Sequence, residues 1–384
     1  MDHRARRLSL FSHYDWIVKS LVLVTSNFGD DDGWASYSST ILTMAKIYFD
    51  DVVLLTSKKS TSGIQCLPQP NLRLTNQIRT FFVGLRRIPL KSTVHILVEP
   101  YAPAIALASR VKLSRPIMTL HGTYSLINWE TPKESLRSLT RLFANALCTK
   151  LTSGSQHILD KMPMMIQKKI TVIPNAVDLS TFQPVPFNFQ KFPNLLHRNI
   201  ILTVGEVKWR KGQLDLLKLF IDNKNINNNC VLVIVGECSD EIRVKIDSLV
   251  RNTNMQDHVF VLGRINQNEL ISFYSAAICT ILWANSNTKN LHGHPMIIHE
   301  ANACGSPVVI SRGATDPHAI TEGVSGFWVN EGDSNSVLKI LDMLVTMDKW
   351  QRSKLRESCI ATSRKFSTNA IAPKLANLYQ LGEL

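Results

Sequence analysis

No stretch of the 384 residues is apolar for long enough to cross a bilayer, no CxxC pair occurs, no tract is of low complexity, and nothing repeats at a solenoid period. These absences argue against a helical membrane protein, a zinc ribbon, a dithiol redox protein and a repeat scaffold. The seven cysteines (Cys66, Cys148, Cys230, Cys238, Cys279, Cys304 and Cys359) are odd in number and widely spaced, and they read as buried free thiols. The first twenty residues carry Arg4, Arg6 and Arg7 but no apolar segment followed by a small-residue cleavage site, so the sequence is expected to act in the cytoplasm.

What is present is a globular balance, 45% hydrophobic and 19% charged, in a chain of a length suited to two domains. The net charge of +13 is unevenly divided. Residues 1–200 hold 24 Lys and Arg against 12 Asp and Glu, whereas residues 201–384 hold 19 against 18. A basic first half implies an anionic partner there, and cations beside apolar residues at Arg86, Arg87, Lys91, Arg110, Lys112 and Arg115 favour an anionic membrane surface. The aromatic and basic interleaving of a single-strand binder is missing, which argues against nucleic acid.

Short apolar runs alternate with amphipathic segments, the pattern of βα units on parallel sheets. Strands are expected at 21–25, 52–55, 95–98, 117–120, 147–152 and 170–173, with helices over 34–48 and 134–146. A Pro-, Phe- and Asn-rich stretch at 182–199 reads as a linker, after which strands are expected at 200–204, 231–235, 259–262, 279–282, 307–310 and 326–329, followed by a helical tail from 336. The fold class is therefore α/β with two doubly wound, Rossmann-like domains: 1–185, and 186–365, with a final helix at about 366–384 packing back on the first.

Two segments carry chemistry. The run TVGEVKWRKG at 203–212 places a strand end, the turn glycine Gly205, the cations Lys208, Arg210 and Lys211 and a second glycine directly before a helix, which is a diphosphate-binding arrangement. The run LHGHPMIIHEANACGSPVV at 291–309 reads as a glycine loop, a helix beginning near Pro295, a capping Gly305 and a buried strand. Glu300 is an acid in an apolar or small-residue stretch and needs a partner such as ribose hydroxyls or a structural cation. Asp30, Asp31 and Asp32 contain a DxD pattern, but three acids before a helix are also what N-capping and the helix dipole favour, and no metal is assigned to them.

Together with IPNAVD at 173–178 and EGVSGF at 322–327, these runs stand in the order and spacing of glycosyltransferase family 4, which the sequence resembles over about 171–329 and only weakly over the first 120 residues. The resemblance implies the GT-B fold, two Rossmann-like domains facing across a cleft, and a retaining transfer of sugar from a nucleotide-sugar donor, such as a UDP- or GDP-hexose, to a hydroxyl acceptor. It also implies a role in cell-surface polysaccharide or glycolipid assembly, with a sugar or lipid-linked acceptor and no cofactor or metal. By the same resemblance Lys211, aided by Arg210, holds the donor diphosphate; Glu300 contacts the ribose; Gly205, Gly293, His292, Met296 and Ile297 line the donor site; His121 faces the transferred sugar; and Gly29 and Gly33 flank a loop near donor and acceptor. Three positions depart from the family pattern: Glu206 where an arginine is usual, His292 in place of the first acid of E-x7-E, and His318 in place of an acid. A sugar-nucleotide epimerase on the same fold, and a degenerate copy that binds without catalysis, are the alternatives.

Overall fold

Valine, isoleucine and leucine runs with no polar face can satisfy both sides of a strand only when helices cover both, and in this protein they build two wholly parallel sheets. The computed structural model describes residues 20–28, 33–58, 64–122, 125, 127, 130–188, 190–284, 295–312 and 314–379.

The first half contains β1 (Leu21–Val24), α1 (Gly33–Ala45), β2 (Val52–Thr56), β3 (Ile64–Gln65), α2 (Leu74–Arg87), β4 (Thr93–Ile96), α3 (Ala102–Val111), β5 (Arg115–Leu120), α4 (Pro132–Leu147), β6 (Lys150–Ser153), the short α5 (Gln156–Asp160) and α6 (Met164–Gln167), and β7 (Ile170–Val172). Its sheet order is β3-β2-β1-β4-β5-β6-β7. Helices α2, α3 and α4 lie side by side over one face, and α1 covers the other. Several details differ from the sequence expectation, among them the strand expected at 95–98, which runs from Thr93 to Ile96. The strand expected at 147–152 begins only at Lys150, because Leu147 completes the last turn of α4, and β3, two residues long, has too little pattern to be expected.

The second half contains β8 (Asn199–Val204), α7 (Gln213–Asp222), α8 (Lys224–Asn229), β9 (Cys230–Val235), α9 (Asp240–Asn252), β10 (Val259–Gly263), α10 (Gln267–Ala276), β11 (Ala277–Leu282), α11 (Met296–Ala303), β12 (Val308–Ser311), β13 (Gly326–Val329), α12 (Ser334–Thr346), α13 (Lys349–Ser363) and α14 (Thr368–Tyr379). The sheet order is β10-β9-β8-β11-β12-β13. Each sheet reverses winding once, at β1/β4 and at β8/β11, and the carboxyl ends of those strands are where open α/β sheets take ligands.

The halves are joined beyond the linker. The Val177 N–H donates to Phe366 O (2.8 Å) and the Thr368 N–H to Val177 O (3.0 Å), which returns the chain to the first half. There α14 packs on α1, burying Ile371, Leu375 and Tyr379 with Ile41 and Leu21. Asp316 of the second half accepts from the Gln156 N–H (2.8 Å) at the start of α5.

Candidate functional site

The turn after β8 takes backbone conformations that favour glycine. Gly205 has φ of 127° and Gly212 has φ of 73°. A Cβ on Gly212 would stand 1.7 Å from Trp283 O, so the β8–α7 turn is pressed against the end of β11, at the switch point of the sheet. The buried Gln213 side chain fixes the turn between them: Nε2 donates to Gly205 O (3.2 Å) and Glu206 O (3.3 Å), and Oε1 accepts from the Lys208 N–H (3.4 Å). Gln213 was no part of the expected site, and its only sequence signal is its place directly after the second glycine.

Trp209–Lys211 form one tight turn that leads into α7. Lys211 is half-buried, with no side-chain hydrogen bond or ion pair among the described residues. Burial first, and the neighbouring Arg210 second, pull its ammonium down to about 8, against the opposing pull of Glu206. A lysine held this way gains when an anion arrives. Glu206, which stands where a cation is usual, pairs with Lys208 at 2.7 Å on the exposed side of the turn, so its charge is offset locally.

Glu300 lies inside α11, buried, and accepts from Tyr274 Oη at 3.1 Å. Burial and then the Glu300 charge drive the Tyr274 phenol well above its ordinary range, so it stays a donor. Tyr274, 26 residues upstream on α10, had no sequence signal as a partner. Met296 and Ile297, half-buried, open α11 just after Pro295. His292 and Gly293 lie outside the described residues, as does Gly29; Gly33 is the first residue of α1.

In the first half, His121 stands immediately after β5. Its Nε2 is 2.8 Å from Leu97 O. A carbonyl only accepts, so Nε2 carries the proton and Nδ1 is left as an acceptor. Burial pulls the imidazole down to about 4, more than the Leu97 bond raises it, so the ring is neutral at pH 7. Tyr37 meets it edge-on at 4.9 Å. Behind that pair runs a buried chain: Tyr37 Oη to Thr119 Oγ1 (3.1 Å), Thr119 Oγ1 to His95 Nε2 (2.9 Å), and His95 Nδ1 to Tyr379 Oη (2.8 Å) on α14. The structure thus puts Gly205, Arg210 and Lys211 on one turn, Met296, Ile297 and Glu300 on one helix, and His121 at the strand ends of the opposite sheet.

Two facing Rossmann-like sheets with these orders define a GT-B fold, and solved structures of that class superpose on the chain. Anabaena HepE, in a crystal structure with UDP and glucose, does so with a TM-score of 0.76 over 95% of this chain and 100% of HepE at 14% identity. Residues 185–366 match the family described as Glycosyl transferases group 1. Among curated relatives, a D-inositol 3-phosphate glycosyltransferase of Streptosporangium roseum is 26% identical over 222 residues, 55% of this chain and 49% of that protein. The amylovoran biosynthesis glycosyltransferase AmsK of Erwinia amylovora is 24% identical over 265 residues, 67% of this chain and 63% of AmsK. The chain spans about half the length of the first curated relatives it matches.

Proposed function

We propose that this protein is a metal-independent, retaining glycosyltransferase that moves a hexose from a nucleotide-sugar donor to a hydroxyl acceptor. The observation that carries the reading is Lys211: a half-buried ammonium without an ion-pair partner among the described residues, beside the N-terminus of α7 and at the carboxyl end of β8. A donor diphosphate is the ligand such a place fits. UDP is favoured over GDP because HepE is solved with UDP-glucose and with UDP and glucose.

In this account Lys211 and Arg210 stabilise the departing diphosphate, the role that a metal plays elsewhere. Glu300, oriented by Tyr274, accepts from ribose hydroxyls. Neutral His121 offers Nδ1 to a hydroxyl of the transferred sugar, while the acceptor attacks the anomeric carbon from the face the diphosphate leaves. The family resemblance assigns Gly33 to the acceptor side and Gly205, Met296 and Ile297 to the donor side; Gly29, His292 and Gly293 join them on the sequence alone.

The acceptor is proposed to be lipid-linked or otherwise presented at an anionic membrane on its cytoplasmic face. Helices α2 and α4 turn apolar stripes outward, Leu74, Ile78 and Phe82 on one and Leu136, Leu139 and Phe143 on the other. Exposed Arg79, Arg86, Arg87 and Lys91 accompany them, and α2 and α3 contain no acid. No helix among the described residues is long and apolar enough to cross a membrane, so the attachment is peripheral in this account. The similarity to AmsK supports a polysaccharide or glycolipid product.

The test is incubation with UDP- and GDP-hexoses, with and without membrane-extracted acceptors, in the presence of EDTA. Formation of an α-linked glycoside only when acceptor is present supports the reading. Epimerised or hydrolysed donor in the absence of acceptor, or transfer that stops on chelation and returns with manganese, contradicts it.

A further inference from the structure

Close to His121 lies a carboxyl group that the proposed mechanism leaves unused. Glu99, just beyond β4, is buried to 7% exposure. Ser125 Oγ donates to its Oε1, the Ser125 hydroxyl accepts from the Gly122 N–H (3.0 Å), and the His121 backbone N–H also turns to the carboxylate. The Ser125 N–H closes the turn on Gly122 O (3.2 Å), where Gly122 holds φ of 96°. Glu99 thus holds Ser125, and the Ser125 hydroxyl in turn holds Gly122, the residue after His121.

The other oxygen, Oε2, has no hydrogen-bond partner among the described residues. It faces a cavity of about 20 Å³ whose polar wall is Glu99, Ser125, Arg141 and Asn145 and whose apolar wall includes Met118 and Leu120. Asn145 Oδ1 likewise has no hydrogen-bond partner among the described residues. A proton taken up on Oε2 would leave Oε1 to Ser125 as a neutral and therefore weaker acceptor.

We propose that Glu99 is a positioning residue: as a carboxylate it braces the turn that carries His121, and uptake of a proton on Oε2 slackens that brace. The inference rests on the reading above, in which His121 faces the transferred sugar. An ionised carboxylate binds the Ser125 hydroxyl and the His121 N–H about twice as strongly as a neutral carboxyl does. The proton's range is set by the surroundings. Burial pushes the group up to about 7, while Ser125, the His121 N–H and Arg141 from α4 pull the other way. His121 itself, held near 4, stays neutral across that range.

Two readouts on the full chain test this, with Glu99→Gln as the variant because the amide keeps shape and neutral hydrogen bonding. First, the His121 amide and ring resonances, followed by NMR on ¹⁵N-histidine protein from pH 5.5 to 8.5, should shift with a midpoint near 7 in the wild type and stay flat in Glu99→Gln. Second, kcat/KM for transfer should rise through the same midpoint in the wild type, and in Glu99→Gln lie about tenfold lower with that limb gone, at an unchanged melting temperature at pH 6. His121 resonances that do not shift between pH 5.5 and 8.5 in the wild type, or a Glu99→Gln profile that keeps the limb, overturn the proposal. Absence of transfer with every donor would refute the functional reading instead, and the NMR titration would still decide the brace.

Discussion

Tyr274 Oη donates to Glu300 at 3.1 Å inside the second half, so the acid proposed to meet the donor ribose is held by a partner on the preceding helix. Tyr274→Phe removes that donor and leaves a buried carboxylate oxygen without it, while Glu300→Gln replaces a charge-assisted acceptor by a neutral one. Both variants are expected to weaken donor binding, Glu300→Gln by about tenfold or more, with Tyr274→Phe also losing about 1 to 3 kcal/mol of stability. Titration calorimetry with UDP-glucose and thermal melting check this; unchanged donor affinity in Glu300→Gln would make Glu300 a packing residue.

Gly212 and Gly205 offer a matched comparison. A Cβ on Gly212 would meet Trp283 O at 1.7 Å, whereas one on Gly205 would meet nothing within 4 Å, although both have positive φ. Gly212→Ala is expected to destabilise by about 3 kcal/mol or more, through backbone clash plus strain, and Gly205→Ala by about 1 kcal/mol through strain alone. Equal shifts in melting temperature would mean that the turn yields freely and does not press on β11.

The membrane face makes a quantitative claim about its two ingredients. Removing charge by Arg86→Ser, Arg87→Ser and Lys91→Ser should release the protein from vesicles containing anionic lipid by up to about 1 kcal/mol per residue, and high salt should do the same. Replacing Phe82 and Phe143 by Ser should weaken binding even at low salt, because both side chains are exposed in the free protein and bury apolar surface only on docking. Co-sedimentation that is equal on neutral and anionic vesicles, or absent on both, would assign the basic half to a soluble anionic partner.

The second sheet could be read almost strand for strand, since β9 is an unbroken apolar run and the apolar runs of β8 and β11 are each broken by one buried threonine. The segment at 203–212 was legible as a turn, because a glycine after a strand end and a second glycine directly before a helix mark one. Other parts were not. Leu147 looks like the start of a strand and is the end of a helix, because the amphipathic period of α4 extends over it. Tyr274, Gln213 and Glu99 touch partners 26, eight and 26 residues away through folded contacts, and no local period marks them. Glu206, which stands where an arginine is usual, is paired with Lys208, a choice of rotamer that sequence does not carry.

Whether Lys211 receives the donor diphosphate is decided by calorimetric titration of UDP and UDP-glucose into wild type and Lys211→Ala at pH 7 and pH 9.5. Held down to about 8, Lys211 is charged at the lower pH and mostly neutral at the higher. Binding of the anion then requires proton uptake, and affinity should fall by about tenfold per pH unit above 8. The account predicts this loss in the wild type, and in Lys211→Ala a binding constant already at least about tenfold weaker at pH 7 with little further change, in a protein that melts normally. Wild-type affinity in Lys211→Ala, or an unchanged pH dependence in that variant, would contradict it.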